Sequence, residues 1–392
     1  MIKKLKTEHS AVIVIILTMV LLIFYYCANE VKLKQRSFDS KIRIVYEDFE
    51  NETASDDLEK LITKRVNISN EDGGEKCEQL YEIAKDMLRG ERIKLPFETE
   101  RTRWKFHQHG DLDVLNETSL RWNYPWSTNN SGSTLDFLNR YNKVKSRDVK
   151  VRTYFITFAN NCCNSSKIKA VKSARNPGGF DFATVHDLNS LSQGFRRTHQ
   201  FILRQKRGSG YWIWKPYVIL KTLVENMANG DLLMYQDAGA YFIRNAGPLL
   251  KLCQDMEKGI LVFHTRFLEK QFSKRDAFIL MDMDDGRVYE TFQRLASFLV
   301  VRRNCQSLQF VMEWLAYSSD PRILTDMDNQ MGKGNLAGFA ENRHDQTVLS
   351  LLSKKWDLLE LRDPSQYGDI EGSYKFAAGP YSQLIMHSRD KS

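Results

Sequence analysis

A short apolar strand that ends in a carboxylate constrains this chain more than any other feature. Residues 231–235 (DLLMY) form a predicted buried strand that continues directly into residues 236–239 (QDAG). A predicted amphipathic helix opening at Pro216 precedes this strand, and the segment 208–216 (GSGYWIWKP) leads into the helix. Ligands of open α/β sheets bind just beyond the carboxyl ends of the strands. The sequence therefore predicts a binding site at Asp237.

From residue 149 onward the chain alternates between strand and helix patterns. β-Branched and aromatic runs bounded by turn residues predict further strands at 151–158, 181–185 and 260–264. Helical spacing of apolar residues, with caps and stops, predicts helices at 75–89, 165–175, 216–227, 289–301, 308–316 and 346–354. Strands that alternate with helices predict an α/β sheet with covered faces.

The composition fits a large globular domain and gives no sign of a nucleic-acid partner. The chain has 392 residues, 42% hydrophobic and 27% charged, which is enough to bury a substantial core. Its net charge is +8, but Lys and Arg are spread along the chain rather than packed into one block. The sequence contains neither zinc-finger spacing nor an RNA-binding motif. We therefore expect a solvated basic surface and no nucleic-acid partner.

An apolar segment near the start of the sequence predicts a membrane anchor. Residues 11–28 (AVIVIILTMVLLIFYYCA) carry no charge and are long enough to cross a bilayer. A cleaved signal peptide is the alternative, but it usually has a shorter apolar region that ends in small residues. The sequence favours an uncleaved signal anchor, with residues 1–10 as a cytosolic tail, residues 29–148 as a luminal stem and residues 149–392 as the α/β domain.

Glycosylation motifs set the predicted orientation of this anchor. Basic residues flank both of its ends, so the positive-inside rule does not decide between the two orientations. Five N-x-S/T acceptors follow the anchor, at Asn51, Asn67, Asn116, Asn129 and Asn164. Such acceptors are used in the lumen of the secretory pathway. We expect a single-pass type II protein of the Golgi or ER membrane.

The cysteines predict a disulfide in an oxidising compartment. Five cysteines follow the anchor, an odd number that leaves one without an intramolecular partner. We predict a bond between Cys253 and Cys305 inside the globular domain. The adjacent Cys162 and Cys163 do not form a metal motif, because zinc motifs place residues between their cysteines. The remaining cysteine is available for an intermolecular bond, which makes a homodimer a candidate assembly.

The order of anchor, stem and α/β domain resembles the layout of Golgi glycosyltransferases. Residues 212–220 (WIWKPYVIL) and 230–239 (GDLLMYQDAG) are similar to the donor-binding core of GT-A-type nucleotide-sugar transferases. Residues 343–350 (RHDQTVLS) are similar to the late Asp-Gln element of several of those families. The resemblance covers residues 149–392 and implies a GT-A-like, Rossmann-type mixed sheet with helices on both faces. It also implies transfer of a sugar from a nucleotide-diphosphate donor to a glycan or glycoprotein acceptor.

Asp237 occupies the place of the Asp-x-Asp-like motif of these families. The resemblance implies that its carboxylate holds Mn²⁺ or Mg²⁺, which neutralises the diphosphate of the nucleotide sugar. The structural alternative is that Asp237 caps a turn together with Gly239. The third position of the motif is Gly239 rather than Asp. This departure is compatible with weak metal binding or with an inactive protein.

Other acidic and histidine residues are candidate ligands or bases. Asp326, in an Asp-x-Asp string, is the backup metal ligand, and a second such string begins at Asp282. The resemblance implies that His344 contacts metal or diphosphate, that Asp345 orients a sugar hydroxyl or acts as a base, and that Gln346 binds the donor. Helix N-capping is the structural alternative for these three residues.

The helix before strand 231–235 and the segment after residue 264 supply the remaining candidates. Lys215, near a helix N-terminus, is a candidate phosphate partner, with a solvated lysine as the alternative. Trp214 is a candidate stacking surface for a sugar or base, with core packing as the alternative. Glu269 and Asp276 lie in the expected acceptor region and are candidate bases of an inverting reaction.

A nucleotide-sugar-dependent glycosyltransferase is the leading hypothesis for the function. A non-catalytic protein of the same fold, acting as a lectin or scaffold in the Golgi, is the alternative, because Gly239 replaces an aspartate. A membrane-anchored hydrolase is disfavoured, because the sequence contains no Gly-x-Ser-x-Gly and no His-Glu-x-x-His motif.

Overall fold

The computed structural model of the protein describes residues 73–91, 151–160, 164–358, 360–368 and 381–388. All of them belong to one compact unit that spans residues 65–392. The predicted anchor and the acceptors Asn51, Asn67, Asn116 and Asn129 lie outside the described residues. None of the helices in the described ranges combines the length and the apolar character that a membrane span requires.

The described residues form helices and strands in alternation. The main helices are α1 (Gly73–Arg89), α2 (Asn164–Arg175), α3 (Gln193–Thr198), α4 (Trp214–Glu225), α5 (Gly247–Asp255), α6 (Arg275–Leu280), α7 (Cys305–Ser318) and α8 (Asp345–Lys355). Single helical turns occur at Leu188–Ser190, Gln200–Leu203, Gly208–Tyr211, Glu269–Phe272, Gly286–Tyr289, Pro321–Leu324 and Gln366–Gly368. The strands are β1 (Thr153–Phe158), β2 (Phe182–His186), β3 (Leu232–Gln236), β4 (Ala240–Phe242), β5 (Ile260–Leu268), β6 (Phe292–Arg302), β7 (Glu360–Leu361) and β8 (Ile385–His387).

A mixed sheet of six strands forms the centre of the fold. Its order is β2-β1-β3-β6-β5-β7, and β4 and β8 form a separate two-stranded sheet. β1 runs parallel to β2 and β3, and β5 runs parallel to β7. β6 is antiparallel to both of its neighbours, β3 and β5. The carboxyl ends of the other five strands therefore lie at one edge of the sheet, the edge where α/β sheets bind ligands.

Alternating side chains divide the core into two layers, one on each face of the sheet. On β3, Leu233 and Tyr235 are buried in the layer that contains α1, α4, α7 and α8. Leu232 and Met234 are buried in the opposite layer with α2 and α5. A strand that is covered on both faces is apolar at successive positions. Helices thus cover both faces of the sheet, which confirms the predicted α/β class.

Helix α1 is part of the folded unit, although the sequence places it in the stem. Its Leu80, Ala84 and Leu88 are buried in the same layer as α4 and α7. A disulfide joins Cys77 of α1 to Cys305 at the start of α7, with their Cα atoms 5.4 Å apart. A segment of the predicted stem therefore completes the core.

The predicted disulfide between Cys253 and Cys305 is wrong. Cys253 is a buried free thiol on α5, and its Sγ lies 3.3 Å from the carbonyl oxygen of Gly259. The two cysteines belong to layers on opposite faces of the sheet and cannot meet. Burial raises the pKa of the Cys253 thiol, and no solvent reaches it. An intermolecular bond would need Cys162 or Cys163, which lie outside the described residues.

The predicted helix at 289–301 is also wrong, because this segment contains β6. β6 pairs with β3 on one side and with β5 on the other. Its stretch from Phe298 to Val301 is buried at every position. A run of consecutive apolar residues occurs both in buried strands and in buried helices. The sequence pattern alone therefore could not distinguish the two for this segment.

Candidate functional site

Three charged side chains meet beyond the carboxyl end of β3. Nζ of Lys215 lies 2.6 Å from Oδ2 of Asp345 and 3.3 Å from Oδ1 of Asp237. The side chains of Lys215 and Asp345 are 3% and 6% exposed, whereas that of Asp237 is 34% exposed. Lys215 also donates to the carbonyl of Ala296 at 3.1 Å. We call Lys215, Asp237 and Asp345 the Lys215 cluster. Asp237 is the member that a ligand reaches most readily from solvent.

Each member of the Lys215 cluster lies at the end of an element. Asp237 follows β3 directly, and its N–H donates to the carbonyl of Ser297 on β6 at 3.0 Å. Lys215 lies in the first turn of α4, followed by Pro216, which fits a first turn because it lacks an N–H. Asp345 is the first residue of α8. The ends of three elements thus converge at the ligand-binding edge of the sheet.

Burial and charge pairing set the ionisation of the Lys215 cluster. Burial opposes the charge on Lys215, but Asp237 and Asp345 outweigh it and raise the pKa of the lysine. Burial also opposes the charge on Asp237, yet Lys215 and hydrogen bonds from Tyr235 and Ser297 lower the pKa of this carboxyl. Burial raises the pKa of Asp345 to about 6, although Lys215 opposes the shift. Asp345 is thus the carboxyl of the cluster that titrates nearest to neutral pH.

Tyr235 is a further member of the site that the sequence analysis missed. Its hydroxyl donates to Oδ1 of Asp237 at 2.6 Å, and its ring centroid lies 5.3 Å from Nζ of Lys215. Burial, together with the charge of Asp237, raises the pKa of Tyr235 well above its usual value. The phenol therefore stays protonated and orients the carboxylate. The sequence predicts Tyr235 at the end of a buried strand, but nothing in it indicates this hydrogen bond.

The turn after Asp237 is held by the two-stranded sheet. The carbonyl of Gly239 accepts hydrogen bonds from the N–H of Ser388 at 2.9 Å and from its hydroxyl at 3.1 Å. Ala240 of β4 lies opposite His387 of β8. A Cβ added at Gly239 would meet no atom within 4 Å, so the backbone there is open. Gly239 therefore leaves space at the predicted donor site, whereas an aspartate at this position would place a second carboxylate there.

The segment that leads into α4 winds in the left-handed direction. Residues 208–212 all have positive φ, and Ser209, Tyr211 and Trp212 among them are not glycine. Left-handed backbone costs such residues about 1 kcal/mol or more each, and it persists only where the surroundings fix it. The turn packs the rings of Tyr211 and Trp212 against His344, with centroids 4.5 and 5.7 Å apart. Backbone strain is thus concentrated next to the Lys215 cluster.

His344 carries the same kind of strain, with φ 52° and ψ −116°. Its side chain is 1% exposed, and Nδ1 donates to the carbonyl of Leu324 at 2.7 Å. Nε2 therefore holds the lone pair and has no hydrogen-bond partner among the described residues. It lies 3.7 Å from Oδ1 of Asp326. Burial lowers the pKa of His344, so the imidazole is neutral at pH 7.

Asp326 lies on the wall of a cavity beside His344. The cavity has a volume of about 710 Å³ and is lined by Lys274 and by residues between 325 and 342. Arg207 contacts two carboxylates at this wall, with Nη1 3.3 Å from Asp326 and Nη2 2.7 Å from Glu341. The structure thus brings Asp326 and His344, two separate candidates of the sequence analysis, within 3.7 Å of each other.

The predicted metal ligands do not form one complete protein site. Among the described residues, no group of three or more His, Cys, Asp or Glu side chains could hold a metal. Mg²⁺ in nucleotide sites, however, needs only one or two carboxylates together with substrate phosphates. The part-exposed carboxylate of Asp237 supplies one. The residues present therefore fit a divalent ion only where a bound anion or water supplies its other ligands.

Glu269 and Asp276, the predicted bases, occupy structural positions. Glu269 is fully buried and forms an ion pair with Lys354. Asp276 is fully buried too, and its carboxylate accepts hydrogen bonds from the N–H groups of Gln330 at 2.6 Å and Met331 at 3.1 Å. Neither carboxylate contacts the Lys215 cluster.

Gln346 and Trp214, predicted to bind the donor, are also held by internal contacts. Nε2 of Gln346 donates to Oε1 of Gln293 at 2.8 Å. Trp214 is 5% exposed and stacks on Phe158, with ring centroids 3.6 Å apart. The contacts of Trp214 match core packing, its structural alternative, whereas the hydrogen bond of Gln346 is an interior side-chain contact and not a helix cap. Asn164, a predicted glycosylation site, begins α2.

Comparisons with known proteins give distant structural similarity only. No family model and no curated protein matches the sequence. One similar solved structure is the WbbM bifunctional glycosyltransferase, which is 13% identical with a TM-score of 0.36, over 63% of this chain and 47% of that one. Mouse xyloside xylosyltransferase 1 is 10% identical with a TM-score of 0.38, over 61% of this chain and 98% of that one. The galactosyltransferase LgtC, solved with donor and acceptor sugar analogues, is 14% identical with a TM-score of 0.33, over 60% and 87%. This chain thus spans less than half of the WbbM structure.

Proposed function

We propose that this protein is a glycosyltransferase that moves a sugar from a nucleotide-diphosphate donor to a glycan or glycoprotein acceptor. The observation that carries the proposal is the buried Lys215, held between Asp237 and Asp345 beyond the carboxyl end of β3. Burial raises the pKa of Asp345 to about 6, and buried groups whose pKa values are shifted towards neutral pH are typical of catalytic sites. The resemblance of residues 212–239 to donor-binding segments supports the same function.

The charge of the Lys215 cluster indicates how a diphosphate would bind. With both carboxylates ionised, the cluster has one negative charge in excess, which repels an anionic donor. We propose that Mn²⁺ or Mg²⁺ accompanies the donor and is held by Asp237, the most exposed carboxylate of the cluster. A bound divalent ion supplies positive charge that stabilises a departing diphosphate.

Lys215 and Tyr235 prepare Asp237 for this role. Both contact Oδ1 of Asp237, at 3.3 Å and 2.6 Å, and so fix the orientation of its carboxylate. Burial alone would raise the pKa of Asp237. The combined effects of Lys215 and of the hydrogen bonds from Tyr235 and Ser297 outweigh burial and lower this pKa, so the carboxylate is ionised at pH 7. A fixed, ionised carboxylate requires little reorganisation when the donor binds.

We propose that Asp345 contacts the sugar rather than the diphosphate. Its pKa of about 6 lets it exchange a proton near neutral pH, the condition for effective general acid–base catalysis. Its contact with Lys215 keeps it beside Asp237. We assign to Asp345 the orientation of a sugar hydroxyl or the acceptance of its proton.

The proposed location is the lumen of the Golgi or ER, behind a type II anchor at residues 11–28. The apolar segment and the clustered glycosylation motifs support it. The disulfide between Cys77 and Cys305 is consistent with it, because such bonds persist in oxidising compartments.

Donor hydrolysis tests the proposed function. The luminal fragment, residues 29–392, is incubated with UDP-sugars, GDP-sugars and, for comparison, the monophosphate CMP-sialate, each with Mn²⁺. We expect turnover of one diphosphate donor class and a loss of about 100-fold in Asp237→Asn. Glu257→Gln, an exposed carboxylate before β5, is the matched control and keeps its activity. Absence of turnover with every donor contradicts the proposal and favours the lectin or scaffold alternative.

A further inference from the structure

We propose that the cavity beside His344 is the acceptor subsite and that it binds an uncharged sugar residue. We name the residues 325–342 the cavity loop, because most of the cavity wall belongs to them. The cavity volume of about 710 Å³ lies within the range of small-molecule sites. The inference rests on the proposed function, since an acceptor subsite presupposes a transferase.

Buried polar contacts hold the cavity loop in place. Asp276 accepts hydrogen bonds from the N–H groups of Gln330 and Met331 at 2.6 and 3.1 Å. The ammonium of Lys274, which is almost fully buried, donates to the carbonyl of Met327 at 2.5 Å. Asn342 is buried as well and donates to the carbonyl of Ile323 at 3.2 Å. A loop fixed in this way forms the cavity before a ligand arrives, which lowers the entropic cost of binding.

The charges on the cavity wall favour a neutral ligand that carries hydroxyl groups. The wall presents three carboxylates, those of Asp326, Asp328 and Glu341. Arg207 bridges Asp326 and Glu341, and Lys274 also lies on the wall, so two cations offset most of the charge of the three carboxylates, which disfavours a cationic ligand. Lys333 lies 3.0 Å from Asp284 and is therefore already paired, which disfavours an anionic ligand. Sugar hydroxyls donate hydrogen bonds to carboxylate oxygens without adding charge.

His344 provides a second observation at this wall. Its Nε2 is buried, has no hydrogen-bond partner among the described residues and lies 3.7 Å from Oδ1 of Asp326, which lines the cavity. A buried polar atom without a partner is unfavourable. A sugar hydroxyl that binds beside Asp326 both donates and accepts, so it can pair with this atom in either protonation state of the ring.

An aromatic ring on the wall adds the apolar surface that a sugar ring needs. Phe339 of the cavity loop is half-buried and lines the cavity. The strained turn places the rings of Tyr211 and Trp212 on His344, the neighbour of Asp326 on the wall. Ligand sites commonly combine such rings with a few fixed polar groups.

The cavity is linked to the proposed donor site through His344. Asp326 of the cavity wall lies 3.7 Å from His344, and the next residue, Asp345, belongs to the Lys215 cluster. An acceptor in the cavity and a donor on that cluster would thus be bound by neighbouring residues, as sugar transfer requires.

Saturation-transfer NMR on the full chain in detergent tests the subsite. The neutral probes are methyl β-galactoside, methyl β-glucoside and methyl β-xyloside, and the charged comparators are glucuronate and glucosamine. We expect binding of at least one neutral glycoside and no binding of the comparators. Asp328→Asn and Phe339→Ala each remove one contact and are expected to weaken binding about tenfold. Glu257→Gln, an exposed carboxylate outside the cavity, is expected to bind as the wild type does.

Several results overturn the proposed subsite: equal binding in both cavity variants, preference for a charged sugar, or no signal from any probe. UDP and GDP titrations of the same samples separate these results from failure of the proposed function. Nucleotide binding without sugar binding overturns the subsite alone. Sugar binding without nucleotide binding overturns the transferase, and with it the assignment of the cavity to an acceptor.

Discussion

The ammonium of Lys215 lies 2.6 Å from the carboxylate of Asp345, a contact that joins the first turn of α4 to the first residue of α8. The same ammonium lies 3.3 Å from Asp237, at the carboxyl end of β3. One buried lysine thus connects two helices to the central sheet. Both the stability of this edge and its chemistry depend on that side chain.

Replacement of Lys215 by Met is expected to lower the free energy of unfolding by about 3 kcal/mol, because Asp345 then lacks its cation in a buried position. Lys221→Met is the matched control on the same helix, where Lys221 forms a surface pair with Glu225 at 2.7 Å. The control is expected to lose about 0.5 kcal/mol. Urea unfolding measures both variants, and equal losses would contradict the structural role of Lys215.

The stability of the wild type is expected to fall, relative to Asp345→Asn, as pH rises towards 6. Burial raises the pKa of Asp345 from 3.8 to about 6, so between these values the folded protein holds a proton that the unfolded chain has released. Stability decreases with pH wherever the folded state binds more protons. The relative loss is up to about 3 kcal/mol and persists above pH 6. Urea unfolding of both proteins across this interval checks it, and a difference that does not vary with pH would disprove the raised pKa.

Removal of the disulfide by Cys77→Ser with Cys305→Ser is expected to cost about 4 kcal/mol, because the bond closes a long loop in the unfolded chain. The two cysteines are separated by 228 residues. Helix α1 should then become sensitive to limited proteolysis, since the bond ties it to α7. Cys253→Ala is the control, because it removes a buried thiol without removing a crosslink. Protection of α1 in the double variant would mean that packing alone holds this helix.

His344→Gly is expected to be more stable than His344→Ala by about 1 kcal/mol, because only glycine adopts positive φ without strain. The φ of His344 is 52°. Both variants remove the imidazole, so their difference isolates the backbone. Thermal unfolding compares them, and equal or reversed stability would show that this backbone is not strained.

The sequence was sufficient to predict the parts of the fold that depend on local pattern. Residues 231–235 were predicted as a buried strand, and β3 spans Leu232–Gln236 with Asp237 directly after it. The helix before it and the helix after His344 also appear close to their predicted ranges. These elements have clear apolar periodicity, with turn or capping residues at their ends. Their local sequence preference therefore agrees with the secondary structure found in the fold.

The features that sequence reasoning missed depend on contacts between distant residues. The sequence predicts Lys215 to be a phosphate partner or a solvated lysine, yet it is buried between two carboxylates that lie on other elements. Cys305 pairs with Cys77 because α1 packs beside α7, and no spacing rule indicates that arrangement. The Gly-Ser-Gly motif at 208–210 predicts a turn, but it does not predict that the backbone of residues 208–212 is left-handed.

Isothermal titration of the wild type and Asp237→Asn with UDP, GDP and CMP, with and without Mn²⁺, tests whether the Lys215 cluster binds a nucleotide-sugar donor. We expect that one nucleoside diphosphate binds, that its binding requires Mn²⁺, and that Asp237→Asn binds it at least about tenfold more weakly. CMP, which lacks a diphosphate, is expected to bind weakly in every case. Absence of nucleotide binding, or equal affinity in wild type and Asp237→Asn, would contradict the assignment of the Lys215 cluster to a nucleotide-sugar donor.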